Sequence, residues 1–410
     1  MDGPIEDLYA RRADTVNTLF SDKNIRSFVS SVGEQAAVRP RFWCRTGIPP
    51  LDFILGLGRG VPLGVLMELW GLEKAGKSAI ALYIAAEMQR LYGAYVMLAD
   101  IEQSIDDSVL ERSNLDVSPE AFGVLEPENE DTRMFTASYT FGKLAEFARD
   151  FRKANNETPL IIVIDSVAAL AVQNVEDAIK TGTASGTRIG AKSLAVQEGI
   201  QVFKGLVTNQ NTLCIVCNQA RAVFQTGWGH AGSSLKAWGP YGWAHMVDVR
   251  MEVSQKNRFD GFFKKDSMFC ERAQTGDPTH IMIHVRCSKS KVSTPYLSAG
   301  IINELNYGID AIRSAVLHAG FDLKGVFDQG LHTKGGVRDA MVTWKGEEYT
   351  TRTMTDFFEA NPSELQEFMH KLEVAYANIR EEKKRVGVRL SLADLQSASS
   401  GIASQDEAME

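Results

Sequence analysis

A glycine-rich segment between an apolar strand and a helical pattern constrains the fold of this chain more than any other feature. It reads glycine, four intervening residues, glycine, lysine and serine, which is the phosphate-loop pattern. The glycines let main-chain N–H groups and the helix N-terminus face anionic oxygens. A chance glycine turn would not explain why lysine and serine follow in this order. The predicted nucleotide-binding residues are Gly71, Leu72, Glu73, Lys74, Ala75, Gly76, Lys77 and Ser78.

The chain around this loop alternates between strand and helix patterns. Apolar strand patterns cover 65–69, 94–98 and 160–164, and helical patterns separate them. Strands that alternate with helices predict a parallel sheet covered on both faces. The predicted fold class is therefore α/β, with a phosphate-loop ATPase core and a mostly parallel central sheet. Further β-rich segments lie at 212–217, 247–253 and 280–287.

Two carboxylates at strand ends complete the predicted nucleotide site. Lys77 is expected to reach the β- and γ-phosphates, and Ser78 to place its hydroxyl on Mg²⁺. Asp165 ends an apolar strand at the edge where ligands of open α/β sheets bind, so it is the candidate to hold Mg²⁺ through water. Glu102 follows another strand and is the candidate to activate the attacking water. The alternatives are a helix cap for Asp165 and a solvated strand-end carboxylate for Glu102.

Composition limits the remaining possibilities. The chain has 410 residues, 44% of them hydrophobic, which is enough for one large core and a smaller second one. The formal net charge of -8 means that any nucleic-acid contact must be local. No segment has the pattern of a signal peptide or the run of about 20 apolar residues of a membrane span, so a soluble, cytoplasmic protein is expected. The five cysteines do not form the paired knuckles of structural zinc; they are Cys44, Cys214, Cys217, Cys270 and Cys287.

Four segments are expected along the chain. A helical arm that contacts another subunit precedes the ATPase core, and a small α+β domain follows it. The final segment mixes basic residues with serine and ends in acidic residues, which predicts a disordered tail. The predicted boundaries are 1–45 for the arm, 46–304 for the core, 305–380 for the C-terminal domain and 381–410 for the tail.

Taken in order, these motifs resemble the bacterial RecA recombinases from about residue 46 to about residue 377. The segment 46–56 is similar to the family's lead-in to the phosphate loop, and 164–170 is similar to its Walker B segment. The resemblance implies ATP as the nucleotide and a catalytic role for Glu102. It also implies that Asp106 contacts adenine.

The resemblance extends to residues that link subunits and DNA. Gln219, after Asn218 at a strand end, is similar to the family's γ-phosphate sensor, which couples ATP to the second DNA loop. Lys289 and Lys291 resemble the paired lysines that reach a neighbouring subunit's ATP. His245 is more similar to the archaeal and eukaryotic recombinases, in which a histidine senses the neighbour's phosphate; a packed core histidine is the alternative.

Some positions depart from the bacterial pattern. Leu194 and Gln201 stand where the family tends to have basic residues, on the helix after the first DNA loop. Gly239 is followed by Pro240, where the family has two glycines. These departures favour a divergent member over a housekeeping bacterial copy, either in a bacterial cytoplasm or in a phage-infected cell.

Two polar, glycine-rich segments, 181–190 and 222–239, are predicted to be DNA-binding loops. Basic side chains would contact phosphates, and aromatic rings would stack on bases. By the resemblance, Trp228 falls where the family inserts an aromatic residue; packing in the core or an interface is the alternative for each tryptophan. The predicted DNA-binding residues are Arg188, Arg221, Trp228 and Lys236, with Phe224 and Trp238 as further stacking candidates.

The sequence thus predicts a DNA-dependent ATPase that forms helical filaments on single-stranded DNA and pairs that strand with homologous duplex. Single-strand-binding or loader proteins are expected as partners, and a membrane is not. One alternative is a hexameric helicase similar to RadA or DnaB, because 256–261 resembles a RadA motif, although the four-cysteine zinc module of that family is missing. The other is a filament-forming regulator that binds ATP without turnover, which Lys77, Glu102 and Asp165 argue against.

Overall fold

In the computed structural model, the described residues are 42–128, 133–171, 191–207, 210–224, 233–240, 242–255, 280–321, 323 and 341–387. The helices are α1 Pro49–Gly56, α2 Lys77–Tyr92, α3 Asp107–Arg112, α4 Ala137–Ala154, α5 Ala191–Val207, α6 Trp243–Met246, α7 Ala311–Phe321, α8 Thr351–Ala360 and α9 Pro362–Gly387. The strands are β1 Trp43–Cys44, β2 Val61–Pro62, β3 Val65–Gly71, β4 Tyr95–Asp100, β5 Phe122–Val124, β6 Leu160–Asp165, β7 Thr212–Phe224, β8 Ser233–Ala237, β9 Val249–Gln255, β10 His280–Ser290, β11 Ser298–Glu304, β12 Gly308–Asp310, β13 Met341–Trp344 and β14 Glu347–Thr350.

Tertiary contacts divide the described chain into two compact units. The first unit contains 42–44, 62–73 and the described part of 85–250. The second contains 45–61, 74–84 and the described residues from 251 onward. Within the described ranges, no helix combines the length and the apolar character needed to cross a membrane.

The first unit is built on parallel strands in the order β3-β7-β6-β4-β5. Strand β6 is buried along its whole length, as expected of a parallel strand that is covered on both faces. The β-branched and leucine residues of this strand suit such a position because they pack well on a pleated surface. The α/β class with a mostly parallel central sheet is confirmed.

Helices α4 and α5 pack on this sheet and bring one large apolar cluster together. Phe141 and Leu144 of α4 lie three residues apart, on one helical face, and are buried in the same cluster as Val196 and Phe203 of α5. The two helices approach closely at Gly199, where an added Cβ would stand 2.4 Å from the Phe141 ring.

The second unit combines antiparallel strands with helices α1, α7, α8 and α9 and the first turns of α2. Strand β10 pairs antiparallel with β11, which pairs antiparallel with β12. Helices α7, α8 and α9 and the β13–β14 hairpin share a separate apolar cluster, in which the rings of Phe358 and Phe368 lie 4.9 Å apart. Helices α8 and α9 and the β13–β14 hairpin occupy 341–387; the C-terminal domain at 305–380 stays a prediction.

The structure differs from two predicted boundaries. Residues 381–387, assigned to the tail, continue helix α9, because glutamate, lysine and arginine are good helix formers. Within the predicted loop 222–239, residues 222–224 and 233–237 are paired strands of β7 and β8, since the polar side chains do not prevent main-chain pairing at a sheet edge. Of the predicted arm, second loop and tail, residues 1–41, 225–232 and 388–410 lie outside the described residues, as does the whole first loop 181–190.

Candidate functional site

The parallel strands of the first unit bring several of the predicted site residues to one edge of its sheet. Gly71, at the end of β3, lies opposite Gln219 of β7. Asp100, at the end of β4, lies opposite Asp165 of β6. Because parallel strands all point the same way, residues that are distant in sequence meet at this edge, which is where open α/β sheets bind ligands.

The loop 71–78 has the backbone shape that its glycines predict. Gly76 has φ +97, and an added Cβ would meet the Ile283 side chain at 2.3 Å, so that only glycine fits without rearrangement. Lys74 also has positive φ, and its carbonyl accepts a hydrogen bond from the Gln255 amide. Lys77, at the first position of α2, is 8% exposed. A tight loop that leads into a helix N-terminus suits a phosphate chain.

Glu102 is held by the ends of two other strands. Its Oε1 accepts a hydrogen bond from Gln219 Nε2 at 2.8 Å and another from the Ser166 hydroxyl. Its main-chain N–H donates to the Asp165 carbonyl at 3.1 Å. Glu102 is exposed, whereas Asp165 is 3% exposed. The Glu102 carboxylate therefore faces solvent and the Asp165 carboxylate is buried. The peptide between Asp165 and Ser166 is cis.

Asp106 has a structural task in the described chain. Its carboxylate caps α3, because it accepts hydrogen bonds from the Ser108 hydroxyl at 2.7 Å and the Val109 N–H at 2.9 Å. These two bonds, the one from Ser108 first, lower the pKa of Asp106 below its ordinary value. The side chain remains exposed, and its contact with adenine stays a prediction.

A buried charged network underlies this edge, and the sequence analysis assigned it no role. The Glu68 side chain is 0% exposed and forms an ion pair with Arg250 at 2.5 Å. Its Oε1 also accepts from Asn218 Nδ2 at 2.7 Å and from Trp243 Nε1 at 2.8 Å. The sequence does contain one sign of this network: Glu68 is the single carboxylate in the otherwise apolar strand β3. A buried charge requires partners, so its position indicates that other polar side chains surround it.

The β7–β8 hairpin gathers positive charge around one tryptophan. Arg221 and Lys236 lie opposite each other across the hairpin, and both are exposed. The Arg221 guanidinium lies 5.6 Å from the centre of the Trp238 ring, and Lys192 Nζ lies 4.8 Å from it. Burial, and to a smaller extent the Arg221 charge, lowers the pKa of Lys192. Sequence reasoning missed Lys192, because it lies two residues beyond the predicted end of the first loop, in the helix that follows.

The other predicted residues have different placements. His245 is exposed on α6, which excludes the core-packing alternative. Leu194 and Gln201 are both exposed on α5. Arg188 and Trp228 lie outside the described residues.

Seven of the predicted residues belong to the second unit: Lys74, Ala75, Gly76, Lys77 and Ser78 of the phosphate loop, and Lys289 and Lys291. Lys289 is partly buried near the end of β10, and Lys291 is exposed just after it. Ser78 lies in the first turn of α2. The first unit alone therefore brings together Gly71, Glu102, Asp165 and Gln219.

Comparisons with known proteins agree on one family. A family model described as the RecA N-terminal domain matches residues 26–310. Protein RecA of Ruminococcus albus is 27% identical over 298 residues, which are 71% of this chain and 62% of that protein. Protein RecA of Clostridium botulinum is 29% identical over 269 residues, or 64% of each chain. Protein RecA, plasmid, of Lactococcus lactis is 29% identical over 282 residues. The match spans less than two thirds of the first two relatives.

Proposed function

The chain belongs to the RecA family, and from this premise we propose that it is an ATP-dependent recombinase that assembles on single-stranded DNA and pairs it with homologous duplex. The observation that supports this most strongly is the position of Gln219. Its side chain donates to Glu102, while its main chain lies two residues before Arg221 on the same strand. A movement of Gln219 at the nucleotide edge is therefore transmitted to Arg221 in the basic hairpin through the main chain of β7.

The site residues divide the chemistry of ATP hydrolysis among them. Lys77 binds the β- and γ-phosphates, and Glu102 accepts a proton from the attacking water. Ser78 and Asp165 supply hydroxyl and carboxylate oxygens, the ligand types that suit Mg²⁺, which neutralises phosphate charge when it is bound. Gln219 restrains the Glu102 carboxylate through their hydrogen bond.

The hairpin is the proposed DNA-gripping element in the described chain. Arg221 and Lys236 extend from neighbouring strands and offer two cations to a phosphate backbone, which suits sequence-independent binding. Arg188 and Trp228 extend this proposal to the two loops. Assembly with ATP shared between subunits brings Lys289, Lys291 and His245 to a neighbour's nucleotide. Loader and single-strand-binding proteins remain predicted partners.

Measuring ATP hydrolysis with and without single-stranded DNA tests the proposal. Hydrolysis should be strongly stimulated by DNA, and joint molecules should form only with homologous duplex. Arg221→Ala should reduce the slope of log affinity against log salt by about one, because the variant makes one phosphate contact fewer and so releases fewer counterions on binding. Lys153→Ala removes an exposed cation of α4 that pairs with Asp150, and should leave the slope unchanged. An ATP hydrolysis rate that is unchanged by single-stranded DNA, together with the absence of joint molecules, would contradict the proposal.

A further inference from the structure

Glu68 is a carboxylate buried in the middle of β3, where its neighbours Met67 and Leu69 are 0% exposed. A charge in such a position is destabilising unless several donors satisfy it. Its two oxygens accept from three side chains, of Asn218, Trp243 and Arg250. These hydrogen bonds hold the three donor side chains in place as well as the carboxylate.

The carboxylate is one of three groups that set the orientation of the Asn218 amide, and it is the only side chain among them. Asn218 Nδ2 donates to Glu68 Oε1 at 2.7 Å and to the Trp238 carbonyl at 2.5 Å. Asn218 Oδ1 accepts from the Gln219 N–H at 2.9 Å. A flipped amide would place oxygen against two acceptors and NH₂ against a donor. An ionised carboxylate only accepts hydrogen bonds, so Glu68 permits one orientation.

The orientation of the Asn218 amide affects both the Glu102 carboxylate and the β7–β8 hairpin. The fixed Gln219 main chain places its side chain 2.8 Å from Glu102 Oε1, and its carbonyl accepts from the Trp238 N–H at 2.9 Å. Trp238 in turn lies beneath Arg221. Glu68 lies behind the nucleotide edge. Through the Asn218 amide it restrains both the Glu102 carboxylate and the base of the hairpin.

We propose that Glu68 is a positioning residue for ATP hydrolysis, which acts by orienting Asn218 and, through it, Gln219 on Glu102. Arg250 and Trp243 hold Glu68 in place for this task. The inference rests on the proposed function, because it assigns a supporting residue to that reaction. It predicts that the effect of Glu68 on turnover passes through Gln219.

A double-mutant cycle between Glu68→Gln and Gln219→Ala tests this path. Glu68→Gln keeps the side-chain shape but must turn NH₂ towards either Asn218 or Arg250. It should lower kcat about tenfold while KM for ATP changes less than about twofold. If Glu68 acts through Gln219, the double variant should be no slower than Gln219→Ala alone. Multiplicative losses in the double variant would overturn the proposal.

Asp248→Asn provides the matched control. Asp248 is another buried carboxylate; it pairs with Lys204 at 2.7 Å and accepts from the Leu66 N–H, in the same strand as Glu68. None of its described contacts reaches Asn218. Its substitution should lower the unfolding temperature, and any loss of kcat should multiply with that of Gln219→Ala. Where Glu68→Gln fails to fold, Trp243→Phe replaces it in the cycle, because it removes one donor and keeps the carboxylate.

Amide hydrogen exchange separates this inference from the proposed function. If the wild-type chain hydrolyses no ATP, the proposed function fails and exchange alone decides the role of Glu68. Glu68→Gln should accelerate exchange at Gln219 and Trp238 about tenfold and leave β6 unchanged, because the loosening is local. Unchanged exchange at those two amides, or equal acceleration in β6, would overturn the positioning role.

Discussion

Single residues at the nucleotide edge have separable tasks. Lys77→Ala should weaken nucleotide binding at least about tenfold, because it removes a phosphate-binding charge. Glu102→Gln should bind ATP normally and slow hydrolysis about 100-fold or more, because its amide can still accept from Gln219 but cannot take a proton. Fluorescent-nucleotide titration and single-turnover hydrolysis measure the two effects. Glu111→Gln, an exposed residue of α3, is the control. Normal hydrolysis by Glu102→Gln would disprove the assignment of the base.

Asp52 gives the second unit a pH dependence. It is 3% exposed, and burial raises its pKa from 3.8 to about 7, although hydrogen bonds from the Thr46 hydroxyl and N–H and the Arg45 charge oppose the rise. A raised folded-state pKa means that this group's stabilisation is complete below pH 3.8 and is lost as pH rises through about 7. Asp52→Asn keeps an acceptor for Thr46 and removes the titration.

The free energy of unfolding, measured from pH 4 to pH 8, tests the role of Asp52. The wild type should lose stability relative to Asp52→Asn across this range, by up to a few kcal/mol. The variant should show a flatter profile. Parallel profiles for the two proteins would show that Asp52 does not titrate in this window.

At the scale of elements, the crossing of α4 and α5 depends on one missing side chain. An added methyl group at Gly199 would stand 2.4 Å from the Phe141 ring, so Gly199→Ala should destabilise the fold by about 1–3 kcal/mol. Gly205 is on the same helix with nothing within 4 Å of an added Cβ. Gly205→Ala should therefore stabilise by about 0.5–1 kcal/mol, because alanine favours helix more than glycine does. Urea unfolding compares them; equal effects would contradict the close approach.

The sequence predicted most of the sheet because β3, β4 and β6 are largely apolar runs, of which β4 and β6 each end in an aspartate. This pattern placed Glu102 and Asp165 at one edge, since parallel strands align their carboxyl ends. It could not find the β7–β8 hairpin, because the serine and lysine residues of β8 are typical of a loop, whereas pairing across the strands is a main-chain property. The Glu68 network escaped because its members lie far apart in the chain.

At the scale of the whole molecule, the proposed assembly has active sites that are shared between subunits. Replacing both Lys289 and Lys291 by alanine should abolish DNA-stimulated hydrolysis and leave the isolated chain folded, because in the proposed assembly both cations act on a neighbour's nucleotide. Mixing this variant with Glu102→Gln should restore part of the activity, since some interfaces then combine an intact Glu102 with intact lysines. Co-assembly is verified by pull-down with a tagged partner. No rescue at any ratio of co-assembled proteins would contradict shared sites.

Electron microscopy of the protein with ATP and single-stranded DNA tests the central claim most directly. A recombinase that grips DNA through the hairpin and shares ATP between subunits must grow along the strand as an open helix, because each added subunit completes the site of the one before it. We expect helical filaments that depend on ATP and disassemble as it is hydrolysed. Closed rings on the same DNA would contradict it and indicate a hexameric motor instead.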